Sequence, residues 1–182
     1  MDTIFARGVL LRRIREEDLP LVAAWSCSPE AHGEFLSVEG LSLSGCRARF
    51  ANNGFWSAAS GTYLIELRKG GAIGTIHYWR RSDKPDTAVV SVKIAIPAFR
   101  GLGYGFAAQK GLINHLFKVR KMAKVEMYTD MDNLAQQKCL AKLGFSVVES
   151  LHYQDMDQRR NGRFCRLTRQ QFQTLLVYTL PI

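Results

Sequence analysis

The sequence predicts a mixed α/β fold, in which a mostly antiparallel mixed sheet of about six to seven strands carries helices on both faces. Residues 62–68 and 72–79 are rich in β-branched and aromatic side chains and flank Gly70-Gly71, as the two strands of a hairpin do. From Ser91 onward, strand-like and helix-like segments alternate. Antiparallel strands followed by strand–helix units are typical of a sheet that contains both kinds of pairing.

Length and composition are those of one globular domain. The chain has 182 residues, of which 47% are hydrophobic and 23% charged, and we treat residues 1–182 as a single domain. The sequence contains no low-complexity tract, internal repeat or apolar run of membrane-spanning length. Arg7, Arg12 and Arg13 precede any signal-like apolar segment, so we expect a cytoplasmic protein without a membrane partner.

The cysteines and histidines are scattered and show none of the spacings typical of metal ligands. We therefore expect reduced, structural thiols and no metal. The residues concerned are Cys27, Cys46, Cys139, Cys165, His32, His77, His115 and His152.

The formal net charge of +9 raises the question of nucleic-acid binding. The positive residues are spread along the chain rather than gathered in one stripe, so specific nucleic-acid binding is not expected. A basic surface also suits an anionic cofactor or an acidic macromolecular partner, and both remain open.

The other elements follow from local patterns of apolar spacing and capping residues. In the first part of the chain they are a strand at 9–13, a helix from Glu16 through Trp25, an irregular stretch at 26–44 and a helix at 45–51. After the glycines they are a helix from Tyr104 to about Lys121, a strand at 124–129, and a helix capped by Asn133 and stopped by Gly144. The chain then forms a hairpin of 146–157 and 163–167 around Asn161-Gly162, and a last helix capped by Thr168 with Gln171.

Residues 91–105 carry the clearest functional signal. Residues 91–96 alternate as a strand does, Pro97 ends the strand, and glycines stand at 101, 103 and 105 before the long helix. The backbone N–H groups of such a turn can approach a phosphate, and the helix N-terminus adds partial positive charge. Arg100 can add a charge-assisted contact.

Two other phosphate-binding motifs fit this segment less well. A P-loop requires Gly-Lys-Ser/Thr, which Gly105-Phe106-Ala107 does not supply. The dinucleotide fingerprint G-x-G-x-x-A fits residues 103–108, with Glu126 about twenty residues further on. Residues 97–102, however, separate those glycines from the strand that they should follow directly.

Two signatures in the expected order resemble those of the GCN5-related N-acetyltransferases, the GNAT family. Residues 100–105, Arg-Gly-Leu-Gly-Tyr-Gly, resemble the family's Arg/Gln-x-x-Gly-x-Gly/Ala pyrophosphate loop. Residues 133–145 resemble its second signature, an asparagine-led helix that closes on Lys-Leu-Gly-Phe. The resemblance covers roughly residues 9–176 and extends to the branch of the ribosomal-protein alanine acetyltransferases.

The resemblance implies a transferase that uses acetyl-CoA as cosubstrate. In the family, the pantetheine arm pairs with the strand before the glycine loop, the loop holds the pyrophosphate, and the asparagine contacts the pantetheine region. The residues that these roles assign here are Lys93, Ile94, Ala95, Ile96, Arg100, Gly101, Leu102, Gly103, Tyr104, Gly105 and Asn133.

The catalytic residues follow less directly. Many family members have a tyrosine seven residues after the asparagine that protonates the leaving thiolate, but Leu140 occupies that position here, as an aliphatic residue often does in the alanine acetyltransferase branch. Deprotonation of the amine requires a base. The candidates are Asp155, which we favour, with Tyr128 and Glu126, and beyond these His152 and Tyr153.

The resemblance places the acceptor pocket between residues 25–50 and 153–163. Glu30, Glu34 and Glu39 favour a cationic amine, whereas Arg159 and Arg160 favour an acidic acceptor, so the charges do not decide. We expect direct transfer in a ternary complex to a small amine or a protein N-terminus, by a monomer or homodimer. A non-catalytic acyl-CoA-binding module and an acyltransferase using an acyl carrier protein as donor remain alternatives.

Overall fold

The computed structural model describes residues 3–178, and it places eight strands in one mixed sheet flanked by six α-helices. The strands are β1 (Ile4–Ala6), β2 (Val9–Arg13), β3 (Ser60–Leu67), β4 (Ala72–Arg80), β5 (Thr87–Ile94), β6 (Lys124–Asp130), β7 (Ser146–Asp155) and β8 (Gln158–Thr168). The helices are α1 (Leu19–Ser26), α2 (Pro29–His32), α3 (Leu43–Ala51), α4 (Tyr104–Lys118), α5 (Leu134–Leu143) and α6 (Arg169–Tyr178). None of the helices in the described residues is both long and apolar enough to cross a membrane.

The sheet order is β1-β2-β3-β4-β5-β6-β8-β7, and β5 with β6 is its parallel pair. The other neighbouring strands pair antiparallel. A parallel pair needs a crossover, which the glycine loop and α4 provide. The mixed, mostly antiparallel fold predicted from the sequence is thus confirmed.

Two hydrophobic clusters lie on the two faces of the sheet. The larger one packs α4 and α5 against residues such as Ile76, Val90 and Val125, and the smaller one packs α1 and α3 against Leu64 and Ala95. Successive side chains of a strand point to opposite faces, so β5 presents Val90 to the first cluster and Lys93 to the other side of the sheet.

The capping predictions for α5 and α6 are confirmed. Asn133 Oδ1 accepts from Gln136 N at 3.0 Å, and Gly144 ends α5 with a left-handed φ of 87°. Thr168 Oγ1 accepts from Gln171 N, while Gln171 Oε1 accepts from Thr168 N at 2.8 Å. These pairings need no distant partner, which is why local sequence predicts them.

Several elements differ from the predictions. The helix predicted from Glu16 begins at Leu19 after a 3₁₀ turn, and the strand predicted to end at Pro97 ends at Ile94. The sheet gains β1, because residues 4–6 pair with β2. The helix predicted from residue 45 begins at Leu43, because Ser42 Oγ caps it by accepting from Gly45 N at 3.1 Å. Residues 26–44, predicted as irregular, contain the short α2.

The turn of the last hairpin is also not at Asn161-Gly162. Asp155 pairs with Gln158, so the turn is Met156-Asp157, and Gly162 lies inside β8. A Cβ at Gly162 would stand 2.4 Å from both Thr129 O and the Tyr153 ring. That glycine is therefore required by close packing inside the sheet rather than by a turn.

Candidate active site

A cleft opens in the sheet where β5 and β6 separate. The two strands pair over only three positions, from Thr87 opposite Lys124 to Val89 opposite Glu126, although they continue to Ile94 and Asp130. The divergence leaves a cavity of about 1590 Å³ between their carboxyl ends. Ligands of open sheets with parallel strands bind at this kind of opening.

The glycine loop lies at one end of this cleft. Gly101 and Gly103 have φ angles of 75° and 86°, a left-handed conformation that favours glycine. A Cβ added at either position would meet no protein atom within 4 Å, so the space beside the loop is open to a ligand. Gly103 is the N-cap of α4, and the N–H groups of the first helical turn can hold a phosphate there.

Arg100 is turned away from the position expected for a phosphate ligand. Its Nε donates to Ile94 O at 2.9 Å, and its Nη2 donates to Glu30 O at 2.6 Å and to Ala31 O at 3.1 Å. The guanidinium therefore joins α2 to the end of β5. In this conformation its charge stabilises the cleft wall.

The hydrogen bonds of β5 indicate which of its backbone N–H groups could donate to a thioester oxygen in the cleft. Ala95 N and Ile96 N both donate to Ile73 O, at 2.8 and 3.3 Å, and are used within the sheet. Lys93 lies opposite Thr75 of β4. Since strand N–H groups alternate between the two neighbours, Ile94 N–H faces the cleft.

A buried polar cluster that sequence reasoning missed joins α4 to α5 beside Asn133. Gln136 Nε2 donates to Gln109 Oε1 at 2.7 Å, and Gln109 Nε2 donates to Gly105 O at 3.1 Å and to Cys139 Sγ at 3.2 Å. Burial raises the pKa of the Cys139 thiol to about 11, so it stays protonated near neutral pH. The cluster fixes α5 against the end of the glycine loop.

Leu140 lies in the core rather than in the cleft. Its side chain is 2% exposed and belongs to the larger hydrophobic cluster. The cleft is lined instead by other residues of α5, namely Ala135, Gln136, Lys138, Cys139 and Lys142. The position at which many family members carry their tyrosine is thus used here for packing.

Glu126 needs correction as a candidate base. Its side chain is fully buried, with Oε2 accepting from Arg81 Nη1 at 3.0 Å and Oε1 from Arg166 Nη2 at 2.8 Å. It does not line the cleft. Both oxygens are committed to a structural ion pair between β6 and its neighbours, which argues against proton transfer to substrate.

Asp155 lines the cleft, but its carboxylate is heavily engaged. Oδ2 accepts from Ser37 N at 2.8 Å, from Ser37 Oγ at 2.9 Å and from Arg160 Nε at 2.8 Å. These contacts hold the β7–β8 hairpin against the loop between α2 and α3. This geometry therefore fits a role for Asp155 in positioning the hairpin better than a role as a base.

Tyr128 and Tyr153 form an aromatic wall of the cleft. The Tyr128 ring lies 5.1 Å from Phe164 and 5.6 Å from Tyr153, centroid to centroid. Burial raises the pKa of Tyr153, which keeps its phenol protonated. His152 is exposed at the same edge.

A smaller side pocket of about 220 Å³ lies between the first three helices and the hairpin turn. Trp25, Phe55 and Trp79 are among its apolar walls. It meets the cleft at six residues that line both spaces. These are His32, Leu36, Trp79, Ser91, Lys93 and Asp155.

Two of the charged residues that the sequence left undecided, Glu39 and Arg160, are each paired with a different partner near this junction. Glu39 Oε1 accepts from Lys93 Nζ at 3.3 Å, and Asp155 pairs with Arg160. Burial lowers the pKa of His77 in the side pocket to about 4, so this imidazole is neutral near pH 7. Within residues 3–178, no His, Cys, Asp or Glu side chains are grouped so that they could hold a metal ion.

Comparison with solved structures shows the same fold in several acetyltransferases. Mycobacterium smegmatis RimJ in complex with CoA-disulfide superposes with a TM-score of 0.76 at 18% identity, covering 97% of this chain and 92% of that one. Vibrio cholerae spermidine N-acetyltransferase with CoA and spermine gives 0.77 at 13%, covering 92% and 99%. Aminoglycoside acetyltransferase AAC(6')-Ib with coenzyme A and kanamycin gives 0.74 at 19%, covering 91% and 98%.

Sequence comparison agrees at the level of the family. No curated protein matches the chain by sequence. A family model described as the acetyltransferase (GNAT) domain matches residues 9–146, which is well over half of the chain. Together with the splayed sheet and the glycine loop, this match shows that the chain belongs to the GNAT acetyltransferase family.

Proposed function

We propose that this protein transfers an acetyl group from acetyl-CoA to a primary amine, directly and in a ternary complex. The observation that carries the proposal is the junction at which the β5–β6 cleft meets the side pocket. The cleft fits an extended donor that carries phosphate groups, and the side pocket reaches the junction from the side of α1–α3. Two substrates can therefore meet without an acyl-enzyme.

Residues of this chain supply binding and polarisation of the donor. The α4 N-terminus and the N–H groups beside Gly101 and Gly103 hold the pyrophosphate. Ile94 N–H donates to the thioester oxygen and stabilises the negative charge that develops there. Asn133 and the Gln109–Gln136 pair keep α5 in place beside the pantetheine arm.

The side pocket favours a small or terminal amine. Its volume of about 220 Å³ lies below the range of roughly 300–1,000 Å³ common for drug-sized ligands. Trp25, Phe55 and Trp79 give it aromatic walls, and its carboxylates Glu39 and Asp155 already have cationic partners. A polyamine, which requires several free carboxylates, fits less well than an aromatic monoamine or a peptide N-terminus. The resemblance to the alanine acetyltransferase branch supports the peptide.

The main alternative is an acyl-CoA-binding module without turnover. Leu140 favours it, because the usual thiolate acid is missing from α5. A thiol of pKa near ~8.5 can nevertheless depart as thiolate without a dedicated acid. Acyl transfer from a carrier protein is a further alternative, which the basic surface would suit.

Calorimetric titration with acetyl-CoA and a thiol-release assay test the proposal. The acceptor panel contains an alanine-led peptide, 2-phenylethylamine, spermidine and kanamycin. We expect acetyl-CoA to bind, and the peptide or phenylethylamine to release CoA fastest. Binding without release for any amine would favour the non-catalytic module, and failure to bind acetyl-CoA would overturn the proposal.

A further inference from the structure

A buried lysine side chain and a buried histidine side chain lie at the junction of cleft and side pocket, and the pantetheine contacts expected of β5 use its backbone rather than the lysine side chain. Lys93 on β5 is 8% exposed and His32 at the end of α2 is 6% exposed. Lys93 Nζ lies 3.1 Å from His32 Nε2 and 3.3 Å from Glu39 Oε1. These two partners offset the cost of burying the ammonium group, and they place a proton donor beside possible proton acceptors at the junction.

The hydrogen bonds fix the state of His32. Its Nδ1 lies 2.8 Å from Ser28 O, and a carbonyl oxygen can only accept, so Nδ1 carries the proton. Nε2 is then the unprotonated nitrogen and accepts from Lys93. The Nε2 atom of His32 is therefore positioned to take up a proton from Lys93. Glu39 Oε1, 3.9 Å from Nε2, would stabilise the imidazolium formed when His32 takes up a proton.

We propose that Lys93 and His32 form a relay that removes the proton of the acceptor amine, with Glu39 leading it to solvent. The inference rests on the acetyl transfer proposed above. The acceptor enters as an ammonium ion and gives one proton to Lys93 Nζ, while Lys93 passes one of its own to His32 Nε2. The freed lone pair forms the N–C bond, and the C–S bond breaks with its electron pair leaving on the thiolate. The second proton lost by the amine nitrogen passes through water to the thiolate.

The neighbouring groups do not offer this path. The other charged or titratable side chains lining the side pocket are Arg49 on α3, His77 on β4 and Asp155 on β7. Arginine does not deprotonate in proteins, and three donors already engage Asp155 Oδ2. His77 pairs with Thr62 Oγ1 at 2.9 Å and lines only the side pocket. Glu39 has a partly exposed side chain, so the proton can pass from it to solvent.

The pH dependence of turnover separates a relay from a structural role. Lys93→Met and His32→Gln are assayed from about pH 6 to about pH 9.5, where alkylamines begin to lose their proton unaided. With the panel amine that reacts fastest, we expect a loss of kcat of about 10²-fold or more at the acid end, shrinking as the pH rises. A loss by the same factor at every pH would overturn the relay.

Two further variants sharpen the result. Lys93→Arg keeps the positive charge but cannot pass on a proton, so its activity should fall as that of Lys93→Met does. Wild-type activity in Lys93→Arg would mean that only a cation is needed, which contradicts the proposal. Lys84→Met, in the exposed turn before β5, is the matched control and should keep the wild-type profile.

Binding and tautomer measurements distinguish failure of the relay from failure of the proposed function. Because acetyl-CoA is expected to contact residue 93 through its backbone, Lys93→Met and His32→Gln should each bind acetyl-CoA as the wild type does. Full turnover in these two variants at all pH values would overturn the relay alone. A wild type that does not bind acetyl-CoA would overturn both. Nitrogen-15 NMR needs no acceptor: His32 should carry its proton on Nδ1, and a proton on Nε2 would refute the relay.

Discussion

At the scale of single residues, Gly103 is the position at which a side chain should matter most for the donor. Gly103→Val would place its Cβ in the open space beside the loop, where a phosphate is expected, and should abolish acetyl-CoA binding measured by calorimetry. Gly70→Val is the matched control, because Gly70 also has a positive φ and open surroundings but lies in the β3–β4 turn. Equal affinity in the two variants would contradict a phosphate site at the loop.

Glu126 gives a second prediction at this scale. Glu126→Gln leaves Arg81 and Arg166 with a neutral partner and should lower the free energy of unfolding by about 1–3 kcal/mol in urea denaturation. Because Glu126 lies outside the cleft lining, turnover per folded molecule should stay within a few-fold of wild type. A loss of about 10²-fold without loss of stability would restore Glu126 as a catalytic base.

At the scale of elements, α5 should tolerate a tyrosine on its exposed side but not at Leu140. Leu140→Tyr forces a larger polar side chain into a packed core and should cost about 1–3 kcal/mol of unfolding free energy, without raising turnover. Leu134→Tyr on the same helix, where the leucine is 62% exposed, should be nearly neutral. A rise of more than tenfold in turnover for Leu140→Tyr would show that the phenol reaches the cleft after all.

The start of α1 depends on a carboxylate that ties it to β2. Burial raises the pKa of Asp18, but hydrogen bonds from Arg12 and from Arg15 N outweigh burial and hold it below its ordinary value of 3.8. Since the folded pKa is the lower one, this stabilisation is present above that value and is lost as the pH falls through the folded pKa.

The Asp18 pair predicts a pH-dependent mutant effect. Asp18→Asn should lower Tm at neutral pH, and the gap to wild type should close as the pH drops below about 4. Calorimetric melts across the acid range measure it. Glu17→Gln, which removes an exposed pair with Arg15, is the control and should change little. A gap that stays constant down to the lowest pH would show that the carboxylate charge does not contribute.

At the scale of the whole molecule, the net charge of +9 should produce only weak, sequence-independent binding to duplex DNA. Counterion release makes such binding fall steeply with salt, so fluorescence anisotropy should show it disappearing near ~0.15 M. A tight complex that persists at this ionic strength would identify nucleic acid as a real partner.

How far the sequence predicts the site depends on the distance along the chain between interacting groups. Asn133 and Gln136 are three positions apart, and the glycine loop lies within one short segment, so local patterns identify both. Lys93 and His32 are 61 positions apart, and Arg100 contacts carbonyls about seventy positions away. No periodicity or cap signals such pairs, because their contact depends on how α2 packs against β5.

Apart from β1 and α2, the sequence by itself determined the order of strands and helices, and it also determined the caps of α5 and α6 and the position of the glycine loop. These features follow from residues within a few positions of one another. Only the tertiary structure decided that β5 and β6 part after three pairs, that Glu126 is enclosed by two arginines, and that Leu140 belongs to the core. The physical reason is that burial and charge pairing depend on segments distant in sequence, whose approach is set by packing of the entire sheet.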